Sequence, residues 1–164
     1  MRFHAPRVDA LLAAGPDVVA CETIPAADEI VALTRILAGT GVTAWVSVTV
    51  GPDGTTTAEG QPLARALAPA LDLDEVVAVG VNCCAPELVP IALATLAGAG
   101  RPVVAYPNAG DRWDAGRRTW VPRRGGGHPD PLPWVAAGAR LVGGCCGTAP
   151  ADLTRLRSRL HPQS

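Results

Sequence analysis

Apolar residues fall into five short, nearly unbroken runs, at positions 17–21, 44–50, 76–81, 102–106 and 140–142. Between them lie stretches in which apolar side chains recur at helical spacing. In 25–37, for example, Ile30, Leu33, Ile36 and Leu37 share one face and Gly39 follows as the stop. The same spacing predicts helices over 5–14, 60–71, 86–96, 133–137 and 150–160, with Pro90 expected to kink or shorten the first turn of its helix. Residues 111–128 are polar and glycine-rich and read as a long surface loop. No internal repeat is visible.

Runs without alternation belong to strands covered on both faces, and five strands alternating with helices predict a parallel sheet wrapped by helices. Two architectures fit, a TIM-type (β/α) barrel and a doubly wound open sheet, and both place chemistry at the C-terminal ends of the strands. The reactive-looking residues sit at those ends: Glu22, Asn82 with Cys83, Asn108, and Cys145 with Cys146. Sulfurs from the third and fifth strands meet more easily across a curved barrel wall, so the barrel is the expectation.

Cysteine usage sharpens the chemistry. Four of the five cysteines form adjacent pairs, and a disulfide between neighbours closes a strained ring, so a disulfide framework is not expected. In Gly143-Gly144-Cys145-Cys146-Gly147 the glycines free the backbone to aim two sulfurs at one point. Converging thiolates make a metal site with zinc as the default ion, and Cys83 is the candidate third ligand. Cys21 and Trp45 read as core, and His4, His128 and His161 as solvated. The segment 123–127 (Arg-Arg-Gly-Gly-Gly) reads as a solvated loop before a phosphate cradle.

The totals narrow the partners. At 164 residues the chain is one domain in size, and a net charge of -1 gives no electrostatic reason for binding nucleic acid or anionic lipid. No apolar stretch approaches the roughly 20 residues of a membrane span, and the N-terminus lacks a signal-peptide core, so a cytoplasmic location is expected.

Three segments, Gly80-Val81-Asn82-Cys83, Tyr106-Pro107-Asn108-Ala109-Gly110 and Gly143-Gly144-Cys145-Cys146-Gly147-Thr148, resemble the zinc-dependent homocysteine S-methyltransferase family. Glu22-Thr23-Ile24-Pro25 and Glu59-Gly60-Gln61-Pro62-Leu63 fit the same pattern, and the resemblance runs from about residue 6 to residue 160. It implies a (β/α)₈ barrel that moves a methyl group onto homocysteine sulfur, with Zn²⁺ held by Cys83, Cys145 and Cys146 and Cys84 unused. It further implies that Glu22 contacts the homocysteine amino group and that Asn82, Asn108 and the loop bearing Asp111 contact substrate. The family's usual acid in that loop is glutamate. Three thiolates around one Zn²⁺ leave a formal charge of -1, which favours a cationic sulfonium donor such as S-methylmethionine or S-adenosylmethionine.

A complete barrel takes about 250 residues. The expectation is therefore a single domain over 1–164 with about five β/α units, lacking the first barrel strands, that self-associates or docks onto a separate N-terminal half. Two other readings remain: a zinc-binding remnant without turnover, and a phosphate-binding barrel enzyme.

Overall fold

The computed structural model describes residues 2–114, 116–121 and 129–162. Helix α1 (Ala5–Ala13) leads into β1 (Val19–Ile24), α2 (Ala27–Leu37), β2 (Ala44–Val48), α3 (Leu63–Leu71) and β3 (Val76–Asn82). A 3₁₀ turn (Pro86–Leu88) precedes α4 (Val89–Thr95) and β4 (Val103–Tyr106). A small hairpin of β5 (Arg112–Asp114) and β6 (Thr119–Val121) follows, then α5 (Leu132–Ala136), β7 (Ala139–Val142) and α6 (Pro150–Leu160).

The main sheet has the order β1-β2-β3-β4-β7, with every pairing parallel. Spatial order follows chain order with no reversal, as in a barrel wall; a doubly wound sheet reverses direction at its switch point. The core agrees. Val46 and Val48 of β2, Val79 and Val81 of β3, and Ala105 of β4 pack in one cluster with Ile30, Leu37, Leu67 and Leu93 from the helices. One face of the sheet therefore carries the helices.

The other face carries Ser47, Gly80, Asn82 and Tyr106, and Leu141 of β7, which pairs with Val104, is 41% exposed. Val77 is 42% exposed. The continuous apolar runs thus describe strands made to be covered twice, although only one cover is present among the described residues. Among the described residues, β1 and β7 each pair on one side only. Gly80 is required where it stands, because a Cβ there would fall into the Val104 backbone carbonyl of the neighbouring strand.

Several sequence expectations shift. The helix predicted from Gly60 begins at Leu63, since Pro62 biases the residue before it away from helical backbone. Residues 50–62 instead fold back through bridges between Val50 and Thr57 and between Thr56 and Pro62. Asp53 Oδ1 supports that turn by accepting from Thr55 N at 2.9 Å and Thr56 N at 3.1 Å. Pro90 lies at the start of α4 behind the 3₁₀ turn, so the first turn is indeed shortened.

Part of the predicted 111–128 loop is the β5–β6 hairpin. Its short apolar–polar alternation on either side of a turn was too brief to stand out from a loop. Residues 122–128, which hold His128 and the whole 123–127 segment, lie outside the described residues. Trp45 is not core: it stands half-buried on the face away from the helices, where its indole N–H finds an acceptor. His4 is half-buried, with Nε2 2.8 Å from Glu29 Oε1, while His161 is exposed. No described helix is long and apolar enough to cross a membrane.

Candidate metal centre

The two cysteine segments meet because parallel strands carry their chain ends to one rim. At the end of β3, Cys83 takes a left-handed backbone (φ 52°), uncommon for a residue with a side chain, and its N–H donates to Tyr106 O at 3.3 Å. At the end of β7, Gly143 N donates to Ala105 O and Cys145 N to Pro107 O, tying the glycine-rich turn to β4. Cys146 O accepts from Ala109 N at 2.9 Å. Gly144 has no room for a Cβ, which would run into the Thr148 side chain, so the close turn depends on glycine. Gly147 adopts φ 78°.

The sulfurs of Cys83, Cys145 and Cys146 all lie within 4.8 Å of one another, and Cys83 Sγ is 3.7 Å from Cys146 Sγ. Zinc–sulfur bonds of about 2.3 Å at tetrahedral angles would separate two ligand sulfurs by about 3.8 Å. The cluster therefore fits a tetrahedral, thiolate-binding ion. As bare thiols Cys83 and Cys145 resist ionisation: burial, then the neighbouring Cys145, push Cys83 up to about 12, and burial likewise raises Cys145. Three thiolates crowded into one half-buried place call for a cation. Cys84 faces the other way. It is 5% exposed, its thiol pushed up to about 12 by burial, and it packs in the core. Cys21 is buried in the same core.

A cavity of about 780 Å³ opens beside the sulfurs, lined by Cys83, Ala85, Asn108, Gly110, Asp111, Trp120 and Cys146. Two of the residues expected to touch substrate, Asn108 and Asp111, are thus on the cavity wall. Asn108 N donates to Cys84 O at 2.9 Å, while its buried Oδ1 has no donor among the described residues. A buried acceptor left open costs about 1–3 kcal/mol, so it suits a site that a ligand completes. Trp120 on β6 was missed by sequence reasoning because its strand was read as loop.

Glu22 and Asn82 stand differently. Glu22 is exposed on β1, outside the lining of that cavity. Asn82 is fully buried, and its amide ties three strands together. Its Oδ1 accepts from Thr23 N and from Ser47 Oγ, both at 2.8 Å, and its Nδ2 donates to Thr23 Oγ1 at 2.7 Å. Thr23 is itself left-handed (φ 60°), so Asn82 clasps a strained backbone directly after Glu22.

The network continues into β4. Tyr106 OH shares a short hydrogen bond with Ser47 Oγ and accepts from Trp45 Nε1 at 3.1 Å. Burial pushes the Tyr106 phenol up to about 12, Ser47 and Trp45 oppose the rise, and the adjacent Glu22 carboxylate adds to it. Tyr106 therefore stays a neutral phenol beside the Glu22 carboxylate at neutral pH.

Known proteins resemble this chain in sequence and fold. A homocysteine S-methyltransferase of Escherichia coli K12 is 46% identical over 163 residues, covering 96% of this chain and 52% of that protein. A selenocysteine Se-methyltransferase of Brassica oleracea var. italica is 34% identical over 96% of this chain and 47% of that protein. The chain spans about half the length of the curated relatives it matches.

Among solved structures, the apo form of the E. coli homocysteine methyltransferase MmuM superposes with a TM-score of 0.79 at 42% identity, over 96% of this chain and 55% of that one. Its metallated form gives 0.77 at 40% identity, over 95% and 49%. The five β/α units are thus part of a TIM-type barrel, and a metal at the three-cysteine cluster is consistent with the metallated neighbour. With the Homocysteine S-methyltransferase family model matching residues 1–160, the chain belongs to that family.

Proposed function

We propose that this chain carries the zinc- and homocysteine-binding side of a methyltransferase. It would move a methyl group from a sulfonium donor, S-methylmethionine or S-adenosylmethionine, to the thiol of homocysteine, giving methionine. The observation that carries the reading is the cluster of Cys83, Cys145 and Cys146 opening onto a cavity whose wall holds Asn108 and Asp111. Zinc held by Cys83, Cys145 and Cys146 would supply a Lewis acid that favours the thiolate form of the homocysteine sulfur at neutral pH.

The protein's own groups orient the reactants. Asp111 and the open Oδ1 of Asn108 accept hydrogen bonds from the amino-acid end of a ligand in the cavity. Glu22, braced by Thr23, Asn82 and Tyr106, offers a carboxylate to an ammonium group at the rim. Holding the two sulfurs in line is the main catalytic task of a direct displacement, and such positioning is worth several kcal/mol. The thiol proton leaves to solvent, the bond between methyl carbon and donor sulfur breaks with its electron pair returning to that sulfur, and a new carbon–sulfur bond forms.

X-ray absorption on the zinc-loaded chain is expected to show three sulfur ligands, and a fourth at about 2.3 Å once homocysteine is added. An unchanged three-sulfur shell in a sample that demonstrably binds homocysteine would overturn the thiol-activation reading.

A second reading, zinc binding without turnover, draws on the sides of β1 and β7 left unpaired among the described residues and on the exposed Leu141 of the uncovered face. Open parallel edges pair readily with further strands, and an uncovered apolar face favours association. We propose that a second copy, or a separate half bearing the first barrel strands, completes the sheet. Sizing by light scattering at micromolar concentration is expected to give a mass well above the 16.8 kDa of one chain. A compact, cooperatively melting monomer argues against it, and methyl transfer by that monomer removes the remnant reading altogether.

A further inference from the structure

The roles assigned above leave one wall of the cavity unused. Trp120, the middle residue of β6, lines it together with Cys83, Asn108, Asp111 and Cys146, and stays 40% exposed. Asp111 is the charged side chain among the described lining residues, and no arginine is among them. An indole, a carboxylate and two cysteine sulfurs make a wall suited to a positive ligand, because an aromatic face carries negative quadrupole density and attracts cations, indole most strongly. In the reaction proposed above, the acceptor sulfur is anionic and is claimed by the cysteine cluster. The positively charged centre belongs to the donor.

We infer that Trp120 forms the donor subsite, its indole face receiving the sulfonium group and holding it beside the sulfur cluster. The inference rests on the methyltransferase reading. It adds the residue that would recognise the donor by charge and not by shape alone. Methyl transfer discharges that centre: the carbon–sulfur bond breaks, the electron pair stays on the donor sulfur, and a neutral thioether remains. The indole then loses its cationic partner, so the subsite holds the donor more tightly than the product and favours product release. Trp120 sits on a hairpin outside the main sheet. Substitution there leaves the strand ends that carry the sulfurs in place.

The test uses the zinc-loaded chain, with homocysteine binding measured separately and homocysteine left out of the donor titrations so that no methyl is transferred, and two probes of nearly identical shape. S-methylmethionine carries the sulfonium, and 2-amino-5-methylhexanoic acid replaces it with a neutral carbon. Calorimetry is expected to show the wild type preferring the sulfonium by about tenfold, as one desolvated cation–aromatic contact gives. Trp120→Leu is expected to bring the two probes within about twofold, and Trp120→Phe to keep part of the preference. Zinc content and homocysteine affinity should stay at wild-type values in both variants. Undiminished preference in Trp120→Leu overturns the inference, as does a wild type that binds homocysteine yet treats the probes alike or binds neither. Failure to bind homocysteine at all brings down the parent reading, and the donor subsite with it.

Discussion

Cys145→Ser is expected to strip the chain of metal. The substitution is nearly isosteric, but a serine hydroxyl stays protonated where a cysteine yields a thiolate, and it cannot replace one of three sulfurs that lie within 4.8 Å of one another. Losing a supporting hydrogen bond typically costs a metal site about 10–100-fold in affinity, so loss of a ligand should cost at least about 100-fold. Cys84→Ser is the control one residue from Cys83. Cys84 is 5% exposed and packs in the core, so zinc should remain at one per chain. Metal analysis of the purified variants decides. Full zinc in Cys145→Ser, or zinc lost from Cys84→Ser, would remove the assignment of ligands.

The second large effect is expected at Asn82. Replacing it by alanine leaves Thr23 N and Ser47 Oγ without their acceptor and Thr23 Oγ1 without its donor. Ser47 Oγ is buried and Thr23 is exposed, where water can replace the lost partners, so a loss of about 1–3 kcal/mol in unfolding free energy is expected. The clasp also holds Thr23 at φ 60°, and that conformation aims Glu22. Homocysteine binding should therefore weaken about tenfold or more. Asn82→Asp keeps the acceptor and loses the donor, so it should fall between the two. Denaturant titration and calorimetry on the zinc-loaded protein separate the effects. A variant that loses stability but binds homocysteine at full strength would show that Asn82 supports the fold and not the substrate.

Much of the fold is written in local pattern. The five apolar runs, the helical spacing of Ile30, Leu33 and Leu37, and stops such as Gly39 depend on neighbours in sequence, and the observed strands and helices follow them closely. The hairpin was harder to read. Three-residue strands carry too little alternation to separate from a loop, and Trp120 was overlooked with them. Trp45 was misjudged for another reason. A strand in a parallel sheet is apolar on both faces, so periodicity cannot say which side meets the helices.

The site divides along the same line. By itself the sequence determined the chemistry available: adjacent cysteines between glycines, a third cysteine after an apolar run, and an ordered set of strand-end residues. These are properties of residue type and spacing. Tertiary structure decided which residues meet. Parallel pairing in chain order brought the ends of β3 and β7 together through β4, so that Cys83 lies 3.7 Å from Cys146 across 63 positions. It turned Cys84 into the core, set Asn108 and Asp111 on the cavity wall, and buried Asn82 as a clasp on Thr23. Adjacent residues on a strand point to opposite sides, and only pairing and packing determine which side faces the site.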